Sequence, residues 1–325
     1  LKSTINDVAK MAKVSKATVS RVLNGHLHVS EEVKNRVYKA MEELNYRPSG
    51  VARSLVSKKT QMAGLILPDI TNPFFPLLAR GVEDAANRYG YSVFQCNTDN
   101  DPDIEFAYID KLLEQRVDGI ILISSNLDDK RIRRLTEYNI PFVLCDRFAP
   151  STSFDSVSVD HYKVAYDAVN YLISKNYRCI AHISGPLNVE SADRRRLGYL
   201  QAMAEAGLTP LVKHGSFSYQ SGYQLTQALL SEIIPEAIFA ANDLIALGAI
   251  RAIEENGLVV PKDISIIGCD DIFIADIYKP RLTTVMIPAY QMGIKAMEIL
   301  QQRIAGEIDL PQKVILEHRL VIRDS

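Results

Sequence analysis

TINDVAKMAKVSKATVSRVLN, residues 4 to 24, has the proportions of a helix, a tight turn and a second helix sized for a DNA major groove. Thr4 is placed to cap the first helix, with Asp7 three positions on as in a loose capping box. Ile5, Val8, Ala9 and Ala12 then recur at i, i+3, i+4 and i+7, the spacing of one buried helical face. The pattern breaks at Lys13-Val14, and Ser15 stands where a second helix needs its cap. In that helix Val19, Val22 and Leu23 face inward, which leaves Lys16, Ala17, Ser20, Arg21 and Asn24 outward. Small, polar and basic side chains on one exposed face suit a helix that reaches base edges while neighbouring donors hold phosphates.

Working outward, Ser30 is placed to cap a third helix, with Glu31 and Glu32 in the first turn where the helix dipole favours acids. Val33, Val37, Ala40, Met41 and Leu44 form its apolar stripe. The expected head is therefore three short helices around Ile5, Val8, Val19, Val22, Leu23, Val37 and Leu44. Charge marks the same boundary. Residues 1 to 60 hold 12 Lys and Arg against 5 Asp and Glu, a net +7, and the remainder holds 25 against 34, a net −9. A basic head on an acidic body points to polyanion binding confined to one end.

The run from 4 to 24, with HVS at 28 to 30 and LNYRPSGVARSL at 44 to 55, resembles the DNA-binding end of the lac repressor family. The likeness extends over the whole chain. It departs at the turn, where many relatives have Gly and this chain has Lys13, at a cost of roughly 1 kcal/mol if left-handed. The resemblance implies that Lys16, Ala17 and Arg21 read bases and that Thr18, Ser20, Asn24 and Ser30 hold phosphates, with Thr4 and Ser15 at the same surface. Residues 48 to 60 would be a hinge helix and linker, too short to be a stable helix alone. In the family two such hinges fold in the minor groove of operator DNA, with a leucine wedged between base steps. Leu55 matches that leucine, and Ala52 and Arg53 match its neighbours.

From Met62 the pattern turns to strand, helix, strand. GLILP (64 to 68), YSVFQCN (91 to 97), GIILIS (119 to 124) and FVLCD (142 to 146) are apolar runs separated by helical segments. The order restarts after Val159, with strands expected at 179 to 185, 237 to 241 and 265 to 271. Continuous apolar strands alternating with helices predict parallel sheets covered on both faces. The fold class expected is an all-α helix-turn-helix head on an α/β body. The resemblance makes that body a two-lobed, periplasmic-binding-protein-like fold. Its divisions would be a head over 1–47, the hinge over 48–60, and an effector-binding and dimerisation domain over 61–325. Within that domain the first lobe spans 61–160 and 290–320, and the second 161–289 and 321–325.

Ligands of such sheets sit beyond the carboxyl ends of the strands. Carboxylates, amides and guanidinium groups at those ends suit hydroxyl groups, and aromatic rings suit the apolar face of a sugar. By resemblance to ribose-type sugar-binding proteins, the candidate effector residues are Asn72, Phe74, Phe75, Asp146, Arg147, Arg195, Phe217, Asn242 and Asp270. Ile287 stands where relatives often carry a ligand-reaching Gln, so no single relative's ligand transfers directly.

These readings converge on a sequence-specific transcriptional regulator, expected to be a repressor of a carbohydrate-utilisation operon. The partners implied are a pseudopalindromic stretch of double-stranded operator DNA, a second copy of the chain in a homodimer, and a small polyhydroxylated effector. A phosphoprotein coeffector, as in the catabolite-control branch, is an alternative, and a sugar-binding transport protein a further one. The start LKSTINDV is not a signal peptide and no apolar stretch is long enough for a bilayer, which favours a cytoplasmic protein with no membrane partner. Cys96, Cys145, Cys179 and Cys269 lie in apolar runs with no CxxC, so reduced core thiols are expected rather than a metal site. No P-loop, GxSxG or cofactor fingerprint is present, so neither a cofactor nor enzymatic turnover is expected.

Overall fold

The three helices of the head follow from their caps. The computed structural model describes residues 3–23, 29–46, 59–123, 129–146 and 154–325. Asn24, the hinge residues Ala52, Arg53 and Leu55, and Arg147 lie outside that set. α1 (Ile5–Met11) starts on a full capping box: Asp7 N donates to Thr4 Oγ1, and Thr4 N donates to Asp7 Oδ2 at 2.8 Å. Lys13 takes the turn with φ 53°, the left-handed conformation that a Gly would adopt at no cost. α2 (Lys16–Leu23) is capped by Ser15, whose Oγ accepts from Thr18 N at 3.0 Å. α3 (Glu31–Glu43) is capped by Ser30. Between them Val8, Val19, Val22 and Val37 are buried, with Ile5, Leu23 and Leu44 packed alongside.

The rest of the chain, Gln61–Ser325, is a second unit. Among the described residues its strands form two six-stranded sheets. In the first, β1 (Met62–Leu67) lies between β2 (Ser92–Asn97) and β3 (Gly119–Leu122), followed outward by β4 (Phe142–Cys145), β5 (Asp155–Val159) and β11 (Lys313–Leu316). In the second, β6 (Ile180–Ser184) lies between β7 (Leu211–His214) and β8 (Ala237–Ala240), followed by β9 (Ser265–Asp270), β10 (Thr283–Met286) and β12 (Arg319–Val321). The inner strands β3, β6, β8 and β9 are buried along their length, as strands covered on both faces must be.

Three details differ from the reading of the sequence. β2 is an edge strand whose Ser92, Phe94 and Gln95 are exposed, so its apolar run is not a doubly covered one. β12 pairs antiparallel with β10, so the second sheet is not wholly parallel. The last passage between lobes falls at 317–318, between β11 and β12, rather than near 321.

Helices cover both sheets in close pairs. α4 (Phe74–Arg88) packs on α12 (Ala289–Ala305), where a Cβ on Gly81 would strike the Tyr290 carbonyl and one on Gly293 the Leu78 carbonyl. In the second lobe α7 (His161–Ser174) meets α8 (Glu190–Glu205) through Gly198, and α9 (Tyr219–Glu232) meets α10 (Asp243–Glu255) through Gly222 and Gly248. At all three seams the lack of a side chain lets backbone touch backbone. The first lobe is locked from far along the chain: Arg303 Nε and Nη2 donate to the two oxygens of the buried Asp155 at 2.9 and 2.8 Å. All four cysteines are free thiols. No helix among the described residues is long and apolar enough to cross a membrane.

Candidate functional site: a cleft at the strand ends

A cleft opens between the two sheets at the carboxyl ends of their strands. Its first wall begins where β1 ends. Asn72 is buried, and its Oδ1 accepts from Phe74 N at 3.1 Å, which fixes the start of α4. That turn presents Phe74 and Phe75 edge to face, ring centroids 5.3 Å apart, to the cleft. Phe74 is also part of the core, so both readings of that ring hold at once. Asp146 follows β4 in the left-handed conformation, φ 62°, and this turns its carboxyl group into the cleft.

The opposite wall comes from the second sheet. Asn242 caps α10, its Oδ1 accepting from Ile245 N at 2.9 Å, while its Nδ2 donates to the Phe217 carbonyl at 3.4 Å. Phe217 lies directly over Gly185, where a Cβ would displace the ring. Asp270 closes β9 with φ 119° and is 8% exposed. Burial pushes its carboxyl well above the usual carboxylate range, and the neighbouring Arg195 guanidinium only partly opposes this.

Arg195 forms the floor. Its Nη1 donates to the Ala241 carbonyl at 2.6 Å, and its Nη2 lies 3.3 Å from His161 Nδ1 and 3.6 Å from Asp270 Oδ1. The flanking arginines have other partners: Arg194 lies over the Tyr162 ring and Arg196 pairs with Asp193 at 2.7 Å. A buried guanidinium beside the Asp146 and Asp270 carboxyl groups gives a ligand directed donors and acceptors.

The structure thus brings Asn72, Phe74, Phe75, Asp146, Arg195, Phe217, Asn242 and Asp270 to one cleft. Ile287 is buried and outside the lining. Sequence reasoning missed Asp69, Asn100, Glu190 and Ser191 in the lining, and His161 behind it. Asp69 follows the β1 strand end and Ser191 opens α8, so strand-end and helix-start positions were a usable signal for these two. His161 carried none, being one histidine after a valine-rich strand.

In the head, Lys16, Ala17 and Arg21 are exposed on α2. Thr18 is half-buried, and its Oγ1 lies 2.9 Å from Ser15 Oγ. The Thr4 hydroxyl donates to Asp7 Oδ2 at 2.7 Å, so its proton is held within the cap. Ser20 is half-buried, and Ser30 is exposed at the start of α3.

Comparison with known proteins places both parts. Residues 4–49 match the family described as bacterial regulatory proteins, lacI family, and residues 60–324 match periplasmic binding proteins and the sugar binding domain of the LacI family. Catabolite control protein A of Priestia megaterium is 38% identical over 327 residues, covering 99% of this chain and 98% of the relative. The lac repressor dimer bound to operator and the anti-inducer ONPF superposes with a TM-score of 0.90 at 32% identity, covering 100% of this chain and 99% of that one. A LacI family transcriptional regulator from Enterococcus faecium, with bound ribose, superposes with a TM-score of 0.75 at 31% identity, covering 81% of this chain and 98% of that one.

Proposed function

Because this chain belongs to the LacI family of bacterial transcription regulators, we propose that it is a DNA-binding repressor whose operator affinity is set by a small polyol in the cleft. One observation carries the reading: a single chain joins a helix-turn-helix head to a cleft lined by Asn72, Asp146, Arg195, Asn242 and Asp270 among three phenylalanines. Lys16, Ala17 and Arg21 are the base-reading positions of this proposal. The proposed divisions are a head over 1–47, a hinge over 48–60 and an effector domain over 61–325, with the last passage between its lobes at 317–318.

One head covers a half-site only, so two chains act together on a pseudopalindrome. Exposed Leu77 and Phe94 on the first lobe, and Phe273 and Ile277 on the second, supply apolar surface for that dimer. The cleft ligand would change the angle between the lobes, and with it the spacing of the two heads, a coupling of about 1–3 kcal/mol in typical cases. The protein acts where the DNA is, in the cytoplasm, and the ligand leaves the cleft unaltered, since its carboxylates serve binding rather than turnover.

Selection of operator sequences from a random duplex pool, followed by titration with D-ribose, D-glucose and D-galactose, tests the reading. One enriched palindrome whose affinity shifts with one sugar is the expected result. No enrichment over the starting pool would falsify it.

A further inference from the structure

The polar atoms behind the cleft are not all satisfied. His161 is fully buried as the first residue of α7, immediately after the chain first passes from the first lobe to the second. Arg195 carries only donors, so the 3.3 Å contact makes His161 Nδ1 the acceptor and places the ring proton on Nε2. Nε2 faces Asp146 Oδ1 across the lobe boundary at 3.2 Å. The pair is close but off-line: both atoms are buried and neither has a hydrogen-bond partner. Such a pair costs free energy until its alignment improves. Asp146 ends a strand of the first lobe and His161 begins a helix of the second, so a small change in lobe angle is what would align them.

Resting on the polyol reading of the cleft, we infer that His161 is a positioning residue for the ligand and a latch between the lobes. Through Nδ1 it holds the Arg195 guanidinium in plane under the ligand. Through Nε2–H it takes the Asp146 carboxylate when the lobes close, which sets Asp146's remaining oxygen towards a ligand hydroxyl. Closure around the ligand and formation of this bond therefore favour each other.

Calorimetric titration of the full chain tests this, with D-ribose, D-glucose, D-galactose and D-gluconate as probes and the variants taken with whichever the parent binds. His161→Leu loses both contacts and should bind about tenfold more weakly or worse. His161→Asn keeps an acceptor for Arg195 but is too short to reach Asp146, so its affinity should fall between the two. His182→Leu removes another fully buried imidazole, one bonded to the Phe239 carbonyl at 2.9 Å away from the cleft. It should lower the melting temperature without weakening the ligand. Affinity of His161→Leu within about twofold of the parent, or an equal loss in His182→Leu, overturns the proposal. If the Leu variant does not fold, His161→Asn decides: parental affinity there overturns it. Failure of the parent to bind any of the four probes overturns the polyol reading, and this inference with it.

Discussion

Arg195 Nη2 stands 3.6 Å from Asp270 Oδ1 on the cleft floor, and both side chains are almost wholly buried. The two groups depend on each other unequally. Loss of the cation leaves carboxylates in low dielectric, whereas loss of the Asp270 charge leaves Arg195 its Ala241 carbonyl and His161. Arg195→Leu should therefore destabilise the chain by about 3–5 kcal/mol in urea unfolding. Asp270→Asn should cost about 1 kcal/mol or less yet abolish ligand binding. Equal stability losses in the two variants would contradict this asymmetry.

Asp243 gives a pH dependence of known sign. It is fully buried at the start of α10, and burial pushes its carboxyl from 3.8 to about 7 despite hydrogen bonds from Thr284 Oγ1 and Ile272 N. The native state thus holds this proton more tightly than the unfolded chain does. The stability it contributes is complete below 3.8 and is lost as pH rises to about 7. Asp243→Asn cannot titrate, so its stability relative to the parent should improve steadily across that window. A constant difference between the two proteins from pH 4 to pH 7 would show that Asp243 does not hold the proton.

Gly185 supports Phe217 from beneath. Gly185→Ala pushes the ring into the cleft, because the new methyl group meets its edge. Ligand affinity should fall about tenfold or more while the apo melting temperature moves little, since the ring is only partly buried. Calorimetry and a thermal melt separate the two effects, and an unchanged affinity would mean that Phe217 does not border the ligand.

Arg21 is exposed on α2 with two parallel donors available to a guanine edge. Arg21→Ala should cost about 1–3 kcal/mol of discrimination at one base pair of each half-site. An array of operators substituted one position at a time reads this directly. A uniform loss across every position would mark Arg21 as a phosphate contact instead.

Legibility in the sequence tracked how local the cause was. The caps at Thr4, Ser15 and Ser30 and the apolar runs of β1, β3, β4, β6, β8 and β9 depend on neighbours a few residues away, and pattern alone located them. β5 was not located: DSVSV is half polar, and its burial is made tolerable by Arg303, 148 positions away. The cleft residues on strand ends were readable because a parallel sheet gathers those ends together. His161 was not, because its role depends on contacts with Asp146 and Arg195 that no spacing encodes.

The first lobe is completed by α12 and β11, which follow β5 only after the main strands of the second lobe. Until they emerge, β5 lacks a neighbour on one side, Asp155 lacks its guanidinium, and Gly81 has no helix to receive. Residues 161–286 hold five of the six strands of the second sheet, which lacks only its edge strand β12 at that point. The inner strands of the second lobe are therefore all available before the first lobe has its last helix and strand, and only an edge of the second lobe is left to add. Released chains ending near residue 286 should be cut more slowly over 161–286 than over 61–160, and equal rates would contradict this order.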